Sequence, residues 1–356
     1  MTLLGARFPG RYLQGPDILS LLGKQAAIFG KSAICVVDRG VHDLLAPAIE
    51  AACAGAIEAT LIRHGGECSE SEIARVEAIG RQAGAEVVVG IGGGKALDTA
   101  KATAYRIGHP CVVVPTIAAC DAPCSALAVI YHDDGKVAYD LFLPRNPDLV
   151  LVDTAIIARA PARFLSAGIG DALATFYEAD ACRRSGANNC MKTRGVALAY
   201  EIARICRDTV LEFGVAALAD CAAGKPGAAF ERIIEANILL SGLGFESGGV
   251  AGAHAIHHGL CELDDVHHHL HGEKVAIGVL AELILQGASR QEYKRIHDFC
   301  VLVNLPVRLS DIGIGEVTDE KLRIVAERAC RPGEIMHNEA MRVTPGMVVE
   351  ALRQLI

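Results

Sequence analysis

Short apolar runs alternate with helix-length polar and mixed stretches through the first 160 residues. AICVVD (33–38), Ala59–Arg63, EVVVGIG (86–92) and CVVVPT (111–116) are nearly continuous runs of Val, Ile and Ala, as strands buried on both faces require. Val41–Cys53, Glu70–Gly84 and Lys95–Tyr105 lie between them and read as helices. Strands separated by helices of this length imply crossovers and a parallel sheet covered on both faces. SALAVIY and KVAYDLFL flank HDDG (132–135), which predicts a hairpin, and NPDLVLVD returns to the sheet. Near Pro161 the strand pattern stops. Ile169–Arg183, Cys190–Phe213, Ala228–Leu243, a histidine-bearing stretch around 250–260, Glu273–Gly287 and further segments then read as helices. The pattern predicts an α/β domain with a parallel sheet over 1–161 and an all-helical domain over 162–356. No low-complexity linker joins them, so they are expected to sit close together with a cleft between.

Composition narrows the function classes. The 356 residues carry a formal net charge of -8 and no Trp, and no basic block is visible, which argues against a nucleic-acid surface. No apolar span reaches 18 residues and no signal peptide is visible, so no membrane association is expected. The thirteen cysteines are scattered without a CxxC pair; an odd count in a chain this large points to free thiols in a reducing cytoplasm.

The chemistry begins at GIGGGKALDTAK. Gly92, Gly93 and Gly94 end a strand and precede a helix. A turn of that kind leaves backbone N–H groups and a helix N-terminus aimed at a phosphate. Lys95, Asp98 and Lys101 occupy the first turns of that helix. The pattern is neither GxGxxG with a downstream acid nor a P-loop; the acidic candidate, Asp38, lies upstream at a strand end. Asp38, Gly93, Gly94 and Thr116 all stand at C-terminal strand ends, where ligands of such sheets bind.

In the helical part, AGIGDALATFYEA places Asp171 after a glycine turn, as if opening an apolar helix, where it could act as a cap. His254 and His258 are four residues apart on one helical face, with His257 about a quarter turn away. His267, His268, His269 and His271 follow. Asp171, His254 and one of the later histidines could provide three metal ligands with a fourth position open, the catalytic form of a zinc site; spacing does not choose among them. Cys120 and Cys124 flank Asp121, and Pro123 argues against a shared helical face for the two thiols, so they read as ordinary free cysteines.

The stretches GIGGGKALDTAK, PTIAACDAPCSALAVIY, PRNPDLVLVDTAIIARAPARFLSAGIGDALATFYEA, IIEANILLSGLGFESGGVAGAHAIHHGL, HHHLHGEKVAIG and IMHNEAMRVTP resemble the glycerol dehydrogenases of the metal-dependent, iron-type alcohol dehydrogenase superfamily. The resemblance implies the dehydroquinate synthase-like, iron-type alcohol dehydrogenase fold and hydride transfer from glycerol to NAD, or from another small vicinal diol, hydroxyketone or aldehyde. It places one Zn2+ per subunit on Asp171, His254 and His271. NAD contacts fall on Asp38, Gly94, Lys95, Thr116, Ser125, Leu127 and Tyr131, beside the Gly93 and Asp98 suggested by the turn itself. A substrate-hydroxyl contact falls on Asp121. It also implies a cytoplasmic homo-oligomer, octamers being frequent. Thr175 stands where an iron-type member would carry a further histidine. Ala119, Cys120 and His258 replace residues usual in the family; His258 adds a group able to titrate near neutrality and joins Asp121 as a candidate in the proton path.

Overall fold

In the computed structural model, which describes residues 2–133 and 135–356, the valine-rich runs become the centre of a six-stranded sheet. Its strands are β2 (Tyr12–Gly15), β3 (Ser32–Val37), β4 (Glu58–Arg63), β5 (Val87–Gly92), β6 (Cys111–Pro115) and β9 (Leu149–Asp153). Their spatial order is β2-β9-β6-β5-β3-β4, and every pairing is parallel. β3, β5, β6 and β9 are buried along almost their whole length, which is why their sequences lack polar alternation. β2 is a short edge strand of intermediate exposure and has no apolar run to announce it.

Three helices connect these strands: α2 (His42–Cys53), α3 (Glu70–Gln82) and α4 (Gly94–Ile107). Short α1 (Leu22–Ala26) precedes β3, and α5 (Thr154–Ile157) follows β9 with the Asp153 carboxylate accepting from its first N–H groups. The chain runs outward from β3 to β4 and then crosses back to β5 on the other side of β3. That reversal opens the ligand-binding crevice of such sheets beyond the ends of β3 and β5. The predicted hairpin is a separate antiparallel ribbon, β7 (Leu127–Tyr131) with β8 (Val137–Phe142); Asp134 of its HDDG turn lies outside the described residues. Together these elements, Arg7–Ala118 and Ala122–Ala160, form one unit.

The second unit is helical. It contains Pro161–Ile356, the three residues Ala119–Asp121, and the N-terminal residues through Ala6, where β1 (Leu4–Gly5) pairs with β10 (Arg194–Gly195). Its helices are α6 (Ala162–Ser185), α7 (Ala197–Ala222), α8 (Ala228–Glu235), α9 (Ser241–Gly248), α10 (Gly252–Leu260), α11 (His271–Leu285), α12 (Arg290–Leu302), α13 (Asp319–Ala329) and α14 (Pro345–Arg353). A π-helical turn, Ala236–Leu240, joins α8 to α9. α7 begins later than the apolar pattern suggests, because Asn189 closes a loop there: its carboxamide oxygen accepts from the N–H groups of Met191 and Thr193.

Glycines allow three of these helices to meet closely. A Cβ on Gly272 would lie 1.8 Å from the Ala167 carbonyl oxygen, and one on Gly278 would lie 2.3 Å from that of Ala253. Backbone contact at these two points draws α6, α10 and α11 together, each carrying one of the proposed ligands. No helix among the described residues is long and apolar enough to cross a membrane.

Candidate functional site

Asp171 does not open a helix, as its glycine-rich context suggests; α6 starts nine residues earlier, at Ala162. Gly170 belongs to the packing against α11, since a Cβ there would meet the Gly272 carbonyl at 2.4 Å. The carboxylate is therefore a fully buried mid-helix group and needs partners other than helix-end N–H groups. It finds them in His271, whose Nε2 lies 3.1 Å from Asp171 Oδ1, and His254, whose Nε2 lies 3.4 Å from the same oxygen. One ligand atom from each of the three residues falls within 4.8 Å of the others. The side chain of His271 remains 39% exposed while that of Asp171 is wholly enclosed, so the cluster has one accessible side.

Glu178, two helical turns after Asp171, completes the arrangement. Its Oε2 is 2.6 Å from His254 Nδ1, and its Oε1 accepts from the backbone N–H groups of Ala251 at 2.9 Å and His254 at 2.8 Å. A carboxylate on the far nitrogen of a ligating imidazole fixes its tautomer and orientation and raises its basicity. Burial opposes a charge on His254, yet Glu178 and Asp171 outweigh it and raise the imidazole well above its ordinary value. Burial also works against the Asp171 charge, but His271 and His254 hold that carboxyl below the usual range. In the bare chain, a proton on His254 thus helps to offset the buried carboxylates. A divalent cation would displace it and perform the same compensation. Two imidazole nitrogens and one carboxylate oxygen, with a second carboxylate orienting one ring, fit a divalent transition metal such as zinc or iron.

The neighbouring histidines divide by their partners. His267 is largely exposed and only 3.9 Å from Asp264, and His269 Nδ1 faces Glu273 at 3.3 Å. His257, a quarter turn from His254 and His258 on α10, has its ring centroid 4.3 Å from that of His271. Burial, followed by the charge of His271, keeps His257 well below the ordinary imidazole value. His258 stays outside the donor group, with Nδ1 3.1 Å from Glu334 Oε1. Glu334 also pairs with Arg328. Although burial opposes its charge, His258, the Ile335 N–H and Arg328 hold the Glu334 carboxyl down at about 2.

Asp121 comes directly onto the cluster: its backbone N–H donates to Asp171 Oδ2 at 3.1 Å. Its carboxylate accepts from Ser241 Oγ at 2.8 Å, and Ser241 Oγ lies 2.7 Å from Thr175 Oγ1. Burial and then the Asp171 charge push the Asp121 carboxyl well above its ordinary value. Sequence reasoning missed Glu178 and Ser241. An acid seven residues after Asp171 in an otherwise apolar helix was a readable signal for the first; nothing in the sequence pattern marks the second.

In the other unit, adjacent strand ends bring Asp38, the glycine turn and Thr116 together. Asp38 N–H donates to the Ile91 carbonyl at 2.8 Å, and Thr116 N–H donates to that of Gly92 at 3.0 Å. Gly92 has a φ of 151°, and a Cβ there would lie 2.5 Å from Asp38 Cβ, so this approach requires glycine. Gly93 precedes α4 without a side chain to cap it, leaving first-turn N–H groups for an anion. Lys95 Nζ reaches Glu67 at 2.5 Å and lies 4.9 Å from the Tyr131 ring centroid. Ser125 Oγ donates to the Ala122 carbonyl at 3.2 Å. Asp98 is not poised for a phosphate. Its carboxylate pairs with buried Lys101 at 2.8 Å and accepts from Val129 N–H at 3.0 Å. Lys101 also donates to the Ala122 carbonyl at 3.0 Å and to that of Leu127. Asp98 and Lys101 thereby fasten the β7–β8 ribbon to α4.

The chain belongs to the iron-containing alcohol dehydrogenase family, whose model matches residues 9–154. Within it, the chain is 49% identical to a glycerol dehydrogenase of Thermotoga maritima over 97% of this chain and 95% of that one. A glycolaldehyde reductase of Halobacterium salinarum is 42% identical over 97% of this chain and 94% of its own. Among solved structures, a probable glycerol dehydrogenase from Sinorhizobium meliloti superposes with a TM-score of 0.95 at 43% identity, covering 99% of this chain and 98% of the other.

Proposed function

We propose that the protein is a zinc-dependent glycerol dehydrogenase that oxidises the secondary hydroxyl of glycerol with NAD, yielding dihydroxyacetone and NADH, reversibly. The observation that carries this reading is the convergence of Asp171, His254 and His271 in a chain 49% identical to a glycerol dehydrogenase. Three ligands with an accessible side suit a catalytic zinc. Thr175, one turn after Asp171, has its hydroxyl hydrogen-bonded with that of Ser241 and offers no fourth imidazole.

Zinc held by Asp171, His254 and His271 supplies a Lewis acid that lowers the pKa of a bound hydroxyl. NAD supplies the hydride acceptor. The chain's own work is positional. Glu178 keeps His254 Nε2 turned toward Asp171, and Asp121 offers a carboxylate oxygen to a substrate hydroxyl. In the nucleotide unit, the N–H groups of Gly94 and Lys95 receive phosphate, with Thr116, Ser125, Leu127 and Tyr131 beside it. Asp38 accepts from the adenosine ribose hydroxyls; a 2′-phosphate would meet that carboxylate, which favours NAD over NADP. Arg39 does not offset this, because its guanidinium lies against the Gly65–Gly66 backbone. His258, paired with Glu334, is a lesser participant in proton release than Asp121. The odd, scattered cysteine count without a CxxC pair supports a reducing cytoplasm, and Leu198 and Ile205, exposed seven residues apart on α7, support a homo-oligomer, with an octamer as the form the family resemblance favours.

The test is a steady-state panel of glycerol, 1,2-propanediol, 2,3-butanediol, dihydroxyacetone and glycolaldehyde with NAD and NADP coenzymes, run on wild type and Asp38→Gly. Wild type should prefer glycerol and NAD. Asp38→Gly should weaken NAD by about 1.5–3 kcal/mol per hydrogen bond lost and leave metal content intact. A preference for glycolaldehyde reduction would instead favour the second reading, which the Halobacterium salinarum relative supports. Unchanged NAD affinity in the variant would remove Asp38 from the ribose site.

A further inference from the structure

The rod formed by α8 and α9 is interrupted at Ala236–Leu240 by a π-helical turn, where the Ser241 N–H reaches back five residues to the Ala236 carbonyl. Such a turn inserts one residue into the helical register, rotates everything after it by about 100°, and is frequent at functional sites. The first residue after it is Ser241. It is fully buried, as is nearly all of Thr175, and its Oγ lies 2.8 Å from Asp121 Oδ2 and 2.7 Å from Thr175 Oγ1.

A serine hydroxyl has one proton to donate. If it goes to the Asp121 carboxylate, the contact with Thr175 must be one in which Thr175 donates and Ser241 accepts. The order Thr175 to Ser241 to Asp121 then has a direction. It begins at a buried hydroxyl, so it provides no exit to water and serves to orient. Asp121 is consequently held at two points, by its N–H on Asp171 Oδ2 and by Oδ2 on Ser241. Oδ1 is the oxygen left for a ligand.

We propose that Ser241, aimed by the π-helical turn and backed by Thr175, is the positioning residue that presents Asp121 Oδ1 to the second hydroxyl of a vicinal diol. The proposal rests on the reading of Asp121 as a substrate contact. It makes the π turn a determinant of diol recognition, since a regular α-helix through 236–240 would direct position 241 elsewhere.

The experiment compares kcat/KM for glycerol with that for 2-propanol, which has a secondary hydroxyl but no neighbour for Asp121 to hold. It uses the metal-loaded enzyme with NAD, in wild type, Ser241→Ala, Ser241→Thr and Thr175→Val. Loss of the buried hydrogen bond that orients Asp121 should lower the glycerol-to-2-propanol ratio about fivefold to a hundredfold in Ser241→Ala. A smaller change of the same sign is expected in Thr175→Val, with partial recovery in Ser241→Thr. Metal content, read by elemental analysis, should not change. A fall of both substrates by the same factor, or no change in the ratio, overturns the proposal. If Ser241→Ala does not fold, the ratio in Thr175→Val decides alone. A wild-type enzyme that shows no preference for glycerol over 2-propanol would defeat the underlying function instead, before any variant is considered.

Discussion

His271→Ala should leave the protein without its metal and without measurable turnover, while His268→Ala keeps both. The two residues are near neighbours in a run of histidines, so the contrast tests geometry rather than composition. His271 is the first residue of α11, whose Gly272 touches the α6 backbone at Ala167. That contact carries Nε2 to 3.1 Å from the buried Asp171 carboxylate. Its removal leaves two ligands, fewer than a zinc site employs, and uncovers a buried carboxylate whose charge His271 helps to sustain. His268 is exposed and lies outside the donor group. Elemental analysis of both purified variants checks this; a metal-replete His271→Ala protein would remove His271 from the ligand set.

The second large effect is expected at Glu178. It makes no contact with the proposed metal position itself, yet it fixes the ring of His254 and accepts from two backbone N–H groups at the start of α10. Glu178→Gln keeps the shape and removes the charge, so metal affinity should fall about tenfold; Glu178→Ala should lose closer to a hundredfold. The alanine variant should also be less stable, because two N–H groups lose a buried acceptor, each at about 1–3 kcal/mol. Competition against a chromophoric chelator measures the affinities and thermal unfolding of the metal-free proteins measures the stability. Wild-type metal affinity in both variants would reduce Glu178 to a packing residue.

How much of this was readable in advance depended on whether the signal was local. The parallel sheet was legible because burial on both faces writes itself into β3, β5 and β6 as unbroken valine and isoleucine. Edge strand β2 and the two-residue pair β1–β10 are too short and too exposed to do so. The glycines around Asp171 misled, since a glycine that loosens a turn and one that admits a neighbouring helix look alike in sequence. Gly170 is the second kind, and its partner Gly272 is a hundred positions away. The same distance hid the choice among histidines. His267, His268, His269 and His271 differ little in local context; only the fold decides which one meets Asp171, and it was the family resemblance that named His271. Asp98 looked like part of a phosphate site because it follows the glycine turn, but its orientation depends on Lys101 and on a strand that comes thirty residues later. Ser241 was invisible because a π-helical turn leaves no periodicity to detect.

Removal and return of the metal tests the central claim most directly. The enzyme is stripped with a strong chelator, freed of it, and assayed for glycerol oxidation with NAD before and after titration with Zn2+. Activity should vanish on stripping and return in proportion to added Zn2+, reaching its plateau at one ion per chain. Stripped protein that still oxidises glycerol, or activity that Zn2+ does not restore while unfolding measurements show an intact fold, would contradict a zinc-dependent glycerol dehydrogenase built on Asp171, His254 and His271.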